Sequence, residues 1–151
     1  MAREVFRPTV AIGGVPIHAM LVPFPIACFT GALLTDITYS NSPQVQWANF
    51  SQWLLAVGLI MGVLAAIFGL IDFLAGGRQR PRIGWFHLIG NAIVLIIALI
   101  NNFVHSRDGW TGVVPTGLTL SVITFLLMLV TGFLGWRMGY RHVARPEGDR
   151  P

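Results

Sequence analysis

Residues 47–71 read WANFSQWLLAVGLIMGVLAAIFGLI, from Trp47 to Ile71, without a charged side chain anywhere in the run. An α-helix rises about 1.5 Å per residue, and about 20 apolar residues cross the ~30 Å hydrocarbon core of a bilayer. The stretch is long enough to span with some tilt, and Asp72 closes it. Working outward, three more runs have the same character: Ile17 to Ile37, Ile83 to Ser106 and Gly109 to Trp136. The expected fold is all-α and integral to the membrane, one domain over residues 1–151. Its helices are expected near 17–38, 47–73, 83–105 and 112–138, with a polar C-terminal tail over 139–151.

Composition points the same way. Of the 151 residues, 54% are hydrophobic and 11% charged, whereas a soluble domain carries roughly a quarter charged. The net charge of +4 comes from ten arginines and no lysine. Nine of those arginines sit at segment ends, so they read as orientation signals and not as a nucleic-acid surface. A single cysteine, Cys28, excludes a disulfide within the chain and any multi-cysteine metal centre. The first apolar run is too long for a cleaved signal peptide, and Pro23 and Pro25 interrupt it.

The connections are short. Tyr39-Ser40-Asn41-Ser42-Pro43, Gly76-Gly77-Arg78-Gln79-Arg80-Pro81-Arg82 and Ser106-Arg107-Asp108-Gly109 all have turn chemistry. Links of this length make neighbours antiparallel, which predicts an up-down-up-down bundle. Arg3, Arg7, Arg78, Arg80, Arg82, Arg137, Arg141, Arg145 and Arg150 all fall on one side of such a bundle; the other side carries only Arg107, offset by Asp108. The positive-inside rule then puts both termini in the cytoplasm. Trp47, Trp53 and Trp110 mark the far interface, and Trp85 and Trp136 the near one.

Ionisable residues inside membrane spans are costly and therefore informative. The bundle brings His18, Asp72 and His87 to one depth, with Asn91 a turn from His87, and Asp36 and His105 to the opposite end, with Asn101 and Asn102 a turn from His105. His18 to Asp36 and His87 to His105 are each 18 residues apart, five whole helical turns. Each pair therefore projects from one helix face, roughly 27 Å apart. Three readings of the His18–Asp72–His87–Asn91 cluster stay open. It is a hydrogen-bonded structural layer, a b-type haem site with His18 and His87 as axial ligands, or a metal or proton site with Asp72 as partner.

Gly58-x-x-x-Gly62, Ala65-x-x-x-Gly69 and Gly135-x-x-x-Gly139 are small residues four apart, the spacing that lets helix backbones approach closely in lipid. They serve either packing within the bundle or a surface for a homo-oligomer or a larger membrane complex. Arg137, Arg141 and Arg145, at i, i+4 and i+8, form a stripe suited to anionic lipid headgroups. Asp36 and Asp72 lie at opposite membrane faces and cannot act as a paired acid and base. No nucleophile-triad, zinc-protease or phosphate-loop spacing is present. An enzyme is not expected.

The segment Gly14-Val15-Pro16-Ile17-His18-Ala19-Met20-Leu21-Val22-Pro23-Phe24-Pro25-Ile26 resembles the opening of a bacterial family known as domain of unknown function 2231, predicted four-span membrane proteins, which runs approximately G-H-P-x-H-P-x-L-V-x-F-P-I. Gly69-Leu70-Ile71-Asp72 and His87-Leu88-Ile89-Gly90-Asn91 resemble its later motifs, and the resemblance extends from about Gly14 to Trp136. Here Val15 and Ala19 replace a histidine and a proline of that opening, and Pro23 often corresponds to another histidine, so His18 is its one histidine. The resemblance implies the four-span architecture and supplies no reaction. The expectation is a small, non-enzymatic structural or accessory subunit of the bacterial inner membrane. The alternative is a haem b electron-transfer protein or anchor using His18 and His87.

Overall fold

Proline and glycine set where the helices begin and break. In the computed structural model, residues 10–75, 82–107 and 109–143 are described. The chain enters through a two-residue-per-strand hairpin, β1 (Ala11–Ile12) against β2 (Val15–Pro16), with Ile12 opposite Val15. Gly13 and Gly14 form its turn at φ +58° and +83°. A tight turn of matching twist needs two consecutive positive φ values, and only glycine adopts them without steric cost.

The first span has two pieces, α1 (Ile17–Leu21) and α2 (Pro23–Asn41). Val22 between them keeps helical angles, φ −53° and ψ −37°. Pro23 and Pro25 have no N–H, so the hydrogen-bond ladder loses two donors where the helix is interrupted. The second span is α3 (Val45–Ala75) and the third is α4 (Arg82–His105). A short 3-10 turn at Trp110–Gly112 leads to α5 (Thr116–Val143). Four stretches among the described residues are long and apolar enough to cross a membrane: Ile17–Asn41, Val45–Ala75, Arg82–His105 and Trp110–Met138. The helices run a little past the sequence estimates, except that α5 begins at Thr116 and not near 112. Ser40 and Asn41 stay helical because their side chains bond back to the Ile37 carbonyl, and α5 continues through Val143. Residues 144–151 of the expected tail lie outside the described residues.

Each helix packs on its sequence neighbour, and α5 also packs on α2, closing a ring in which α2 lies across from α4. The centre is an apolar plug of Phe29, Ala32, Leu55, Val94, Ala98 and Met128. Its surroundings invert the pattern of a soluble protein. Ser51, Asn101, Ser121, Thr124 and Thr131 are buried, while Ile60, Phe103, Leu126 and Val130 stand exposed. Large apolar side chains outside and small or polar ones inside are what a bilayer solvent selects.

The small residues of α3 point inward. A Cβ on Gly58 would lie 2.6 Å from the Phe29 ring, and one on Gly62 would lie 2.7 Å from Leu95. Gly132 on α5 has open space above it. Gly58→Ala should therefore destabilise the bundle by about 1–2 kcal/mol, since the buried Phe29 ring must shift. Gly132→Ala should be neutral or stabilise by up to ~1 kcal/mol through helix propensity alone. Reversible unfolding of both variants in mixed micelles checks the contrast.

Candidate functional site: two polar layers on the bundle axis

The ionisable residues of the first span meet those of the third at two levels. His18 and His87 come together at one end, and Asp36 and His105 at the other.

At the first end the imidazole rings of His18 and His87 have centroids 6.3 Å apart and planes at 89°. His18 Nδ1 donates to the Ala65 carbonyl at 2.7 Å, and His87 Nδ1 donates to the Thr131 carbonyl at 2.9 Å. A carbonyl can only accept, so Nδ1 carries the proton in both rings and Nε2 keeps its lone pair in the neutral tautomer. Each ring also lies over the glycine four residues after the carbonyl it binds. A Cβ would come within 2.7 Å of His18 Nδ1 at Gly69 and within 2.9 Å of His87 Cε1 at Gly135. Asn91 stays within its own turn: its Nδ2 donates to the His87 carbonyl at 2.7 Å and lies 3.3 Å from both ring nitrogens. Asp72 accepts a hydrogen bond from the Val10 amide at 3.3 Å, which ties the N-terminal hairpin to the end of α3.

The second end is buried completely and bonded more densely. Asp36 is 0% exposed and His105 1%. Asp36 Oδ1 accepts from Ser51 Oγ at 2.5 Å and from His105 Nε2 at 2.8 Å, and Oδ2 accepts from Ser121 Oγ at 2.6 Å. Those donors come from α3, α4 and α5, so one carboxylate of α2 touches every other span. Asn101 Nδ2 donates to Ser121 Oγ at 2.8 Å, Thr35 Oγ1 lies 2.7 Å from Ser51 Oγ, and Gln52 donates to the His105 carbonyl. His105 Nδ1 faces the Asn101 carbonyl at 3.0 Å. Both ring nitrogens thus have a partner, the Asp36 carboxyl across the bundle and the Asn101 carbonyl within α4. The centre is a buried aspartate–histidine pair.

Aspartate, histidine and serine here do not form a nucleophilic triad. In a triad the serine bonds the imidazole nitrogen remote from the carboxylate. Here both serines donate to the carboxylate, and a backbone carbonyl occupies the remote nitrogen.

Sequence reasoning found the depth of Asp36 and His105 and missed Ser51, Ser121 and the glycine seats. The available signal was a small polar residue amid apolar neighbours, too common in membrane helices to stand out. Of the basic stripe, Arg137 is exposed, with its guanidinium 5.8 Å from the Phe133 ring centre. Arg141 lies in α5, and Arg145 lies outside the described residues.

Among known proteins, residues 14–147 match a family model described as predicted membrane protein, DUF2231. No curated protein and no solved structure matches the chain.

Removing one partner of a buried pair strands the other. Asp36→Ala should cost about 3–5 kcal/mol, because two buried hydroxyls and the His105 ring lose their partner at once. Ser121→Ala should cost about 1–2 kcal/mol. Denaturation midpoints in mixed micelles provide the comparison, and equal losses for the two variants would contradict the geometry.

Proposed function

The chain belongs to the DUF2231 family of predicted membrane proteins, and we propose that it is a small, non-enzymatic accessory or structural subunit of the bacterial inner membrane. In this reading it is an up-down-up-down bundle with both termini in the cytoplasm, working by association with a second copy or a larger membrane complex. The observation that carries the reading is where the chemistry is engaged. The Asp36 carboxylate spends its hydrogen bonds on three other helices, and the described outer faces are apolar. What such a protein offers its surroundings is mainly surface.

The small-residue stripe of α3 is not that surface, since Gly58, Gly62 and Gly69 are filled by Phe29, Leu95 and His18 of the same chain. A better contact is the groove between α2 and α5 lined by Ile26, Met128, Leu129, Gly132, Phe133 and Trp136. The exposed Phe133 and Trp136 rings beside the uncovered Gly132 give that face both a knob and a hole. Arg137, Arg141 and Arg145 then meet anionic headgroups at the cytoplasmic surface, each contributing about 1 kcal/mol. The test is extraction into native-lipid nanodiscs, with cross-linking through Gly132→Cys in a Cys28→Ser background. Dimers or a co-purifying complex linked through the thiol introduced on that face are expected; a strictly monomeric, partner-free chain would sink the reading.

A second reading is haem b bound between His18 and His87, with an electron-transfer role. It is favoured by their 6.3 Å centroid separation and by the two Nδ1 tethers that leave Nε2 unprotonated. His18 and His87 would hold the iron through Nε2, and the haem would supply one-electron chemistry. The protein purified from its own membranes should then give a reduced-minus-oxidised haem band that both His18→Ala and His87→Ala abolish. A colourless protein, expressed with adequate haem, would leave the two rings structural.

A further inference from the structure

The hairpin ahead of the first span turns its larger side chains away from the bundle. Ile12 and Val15 oppose each other across the two strands, and directly opposed residues of an antiparallel pair project from the same face. They are 62% and 49% exposed. The other face carries Ala11 and Pro16, and Pro16 is half-buried. At the turn, a Cβ on Gly13 or Gly14 would meet no atom within 4 Å. A hairpin this short is marginal in water, and side chains left in solvent do nothing to offset its ordering.

Its depth is set through Asp72. The Val10 amide donates to Asp72 Oδ1 at 3.3 Å, and the Val10 carbonyl accepts from the Ile17 amide at 3.1 Å. Phe73, next to Asp72, packs edge-on against the Trp85 ring with centroids 5.0 Å apart. Trp85 is itself exposed, and tryptophan collects where hydrocarbon meets headgroups. The root of the hairpin therefore lies at that boundary. Among the described residues the two strands form a sheet of their own, so their outer edges keep backbone groups without a strand partner. Such edges need water and cannot enter the hydrocarbon core. The boundary layer meets both demands, with acyl chains for the apolar face and hydrated headgroups for the backbone. The sequence also carries Arg3 and Arg7 ahead of the hairpin, charges that anionic headgroups attract.

We propose that this hairpin is an interfacial anchor. Ile12 and Val15 insert into the acyl–headgroup boundary of the bilayer at this end of the bundle, and the bond from Val10 to Asp72 ties that hold to the end of α3. The partner is a lipid surface. Two side chains and a turn are far too small an area for a stable protein–protein contact, whereas lipid surrounds the bundle at this depth. The inference does not depend on the accessory-subunit reading, because it concerns one chain in its own membrane.

The test uses the full chain with Ile12→Cys in a Cys28→Ser background, labelled with the fluorophore NBD, in nanodiscs of phosphatidylcholine and phosphatidylglycerol. The emission should be blue-shifted from that of the dye in water. A nitroxide carried on lipid near the glycerol should quench it about twofold or more better than one near the chain end. The dye is itself apolar, so the neighbouring native side chain must also matter. Val15→Asp in the labelled chain should move the emission toward that in water and remove most of the shallow quenching, and the isosteric Val15→Thr should do so in part. Neither side chain belongs to the buried core, so these variants should melt as the parent does. The reciprocal chain, labelled at Val15→Cys and carrying Ile12→Asp, should give the same loss. A water-like emission without lipid quenching would overturn the proposal. So would a blue shift that neither nitroxide quenches, which means a covering protein, or quenching unchanged by both Asp substitutions. If the Asp variants fail to fold, the depth of quenching in the parent labelled chains decides.

Discussion

A carboxylate cannot sit bare in a membrane-embedded bundle, and the way Asp36 is satisfied constrains everything around it. Its three hydrogen bonds come from three different helices. Each bond holds only over a few tenths of an ångström and a limited range of angles. The three contacts therefore fix the rotation of α3, α4 and α5 about their own axes relative to α2. Apolar packing in lipid lacks the hydrophobic force that sets helix faces in water. A polar centre engaging every span supplies the directional information that dispersion does not.

The opposite end uses a different device for the same purpose. Each histidine lies over a glycine and bonds the carbonyl four residues before it, His18 with Ala65 and Gly69, His87 with Thr131 and Gly135. The missing Cβ lets the ring reach a backbone that any larger residue would cover. His105 also lies over a glycine, Gly117, where a Cβ would fall 2.6 Å from its Cε1, but its Nδ1 bonds the Asn101 carbonyl of its own helix. Glycines four residues from a small partner usually suggest helix–helix contact through their backbones. In this chain, Gly69 and Gly135 receive side chains instead.

The spans, their number and the depth of each ionisable residue could be read from the sequence, because length and charge placement are properties of one helix at a time. The antiparallel order of the spans already put His18 level with His87 and Asp36 level with His105, and whole-turn spacing put each 18-apart pair on one face of its helix. Ser51, Ser121 and the glycine seats were not legible, because their roles exist only between helices. Nor was the contact of Asp72 with the Val10 amide, at the entry to a hairpin with no sequence signal beyond Gly13-Gly14. Sequence periodicity gives the face of a helix, and only the assembled ring says what that face meets.

The two layers differ in what they can still accept, and that difference bears on function more than their residue types do. At the Asp36 end both carboxylate oxygens are engaged by side chains of the other three spans, and the pair is essentially sealed. At the His18–His87 end the rings are only half-buried, and each has one nitrogen fixed by a backbone carbonyl. The other nitrogen keeps a lone pair. The two ends thus differ in access, since the rings stand partly open to the surroundings and the carboxylate does not. The apolar plug of Phe29, Leu55, Val94 and Met128 separates the two layers. One end ties all four spans through a sealed carboxylate, and the other seats two half-buried imidazoles on glycine.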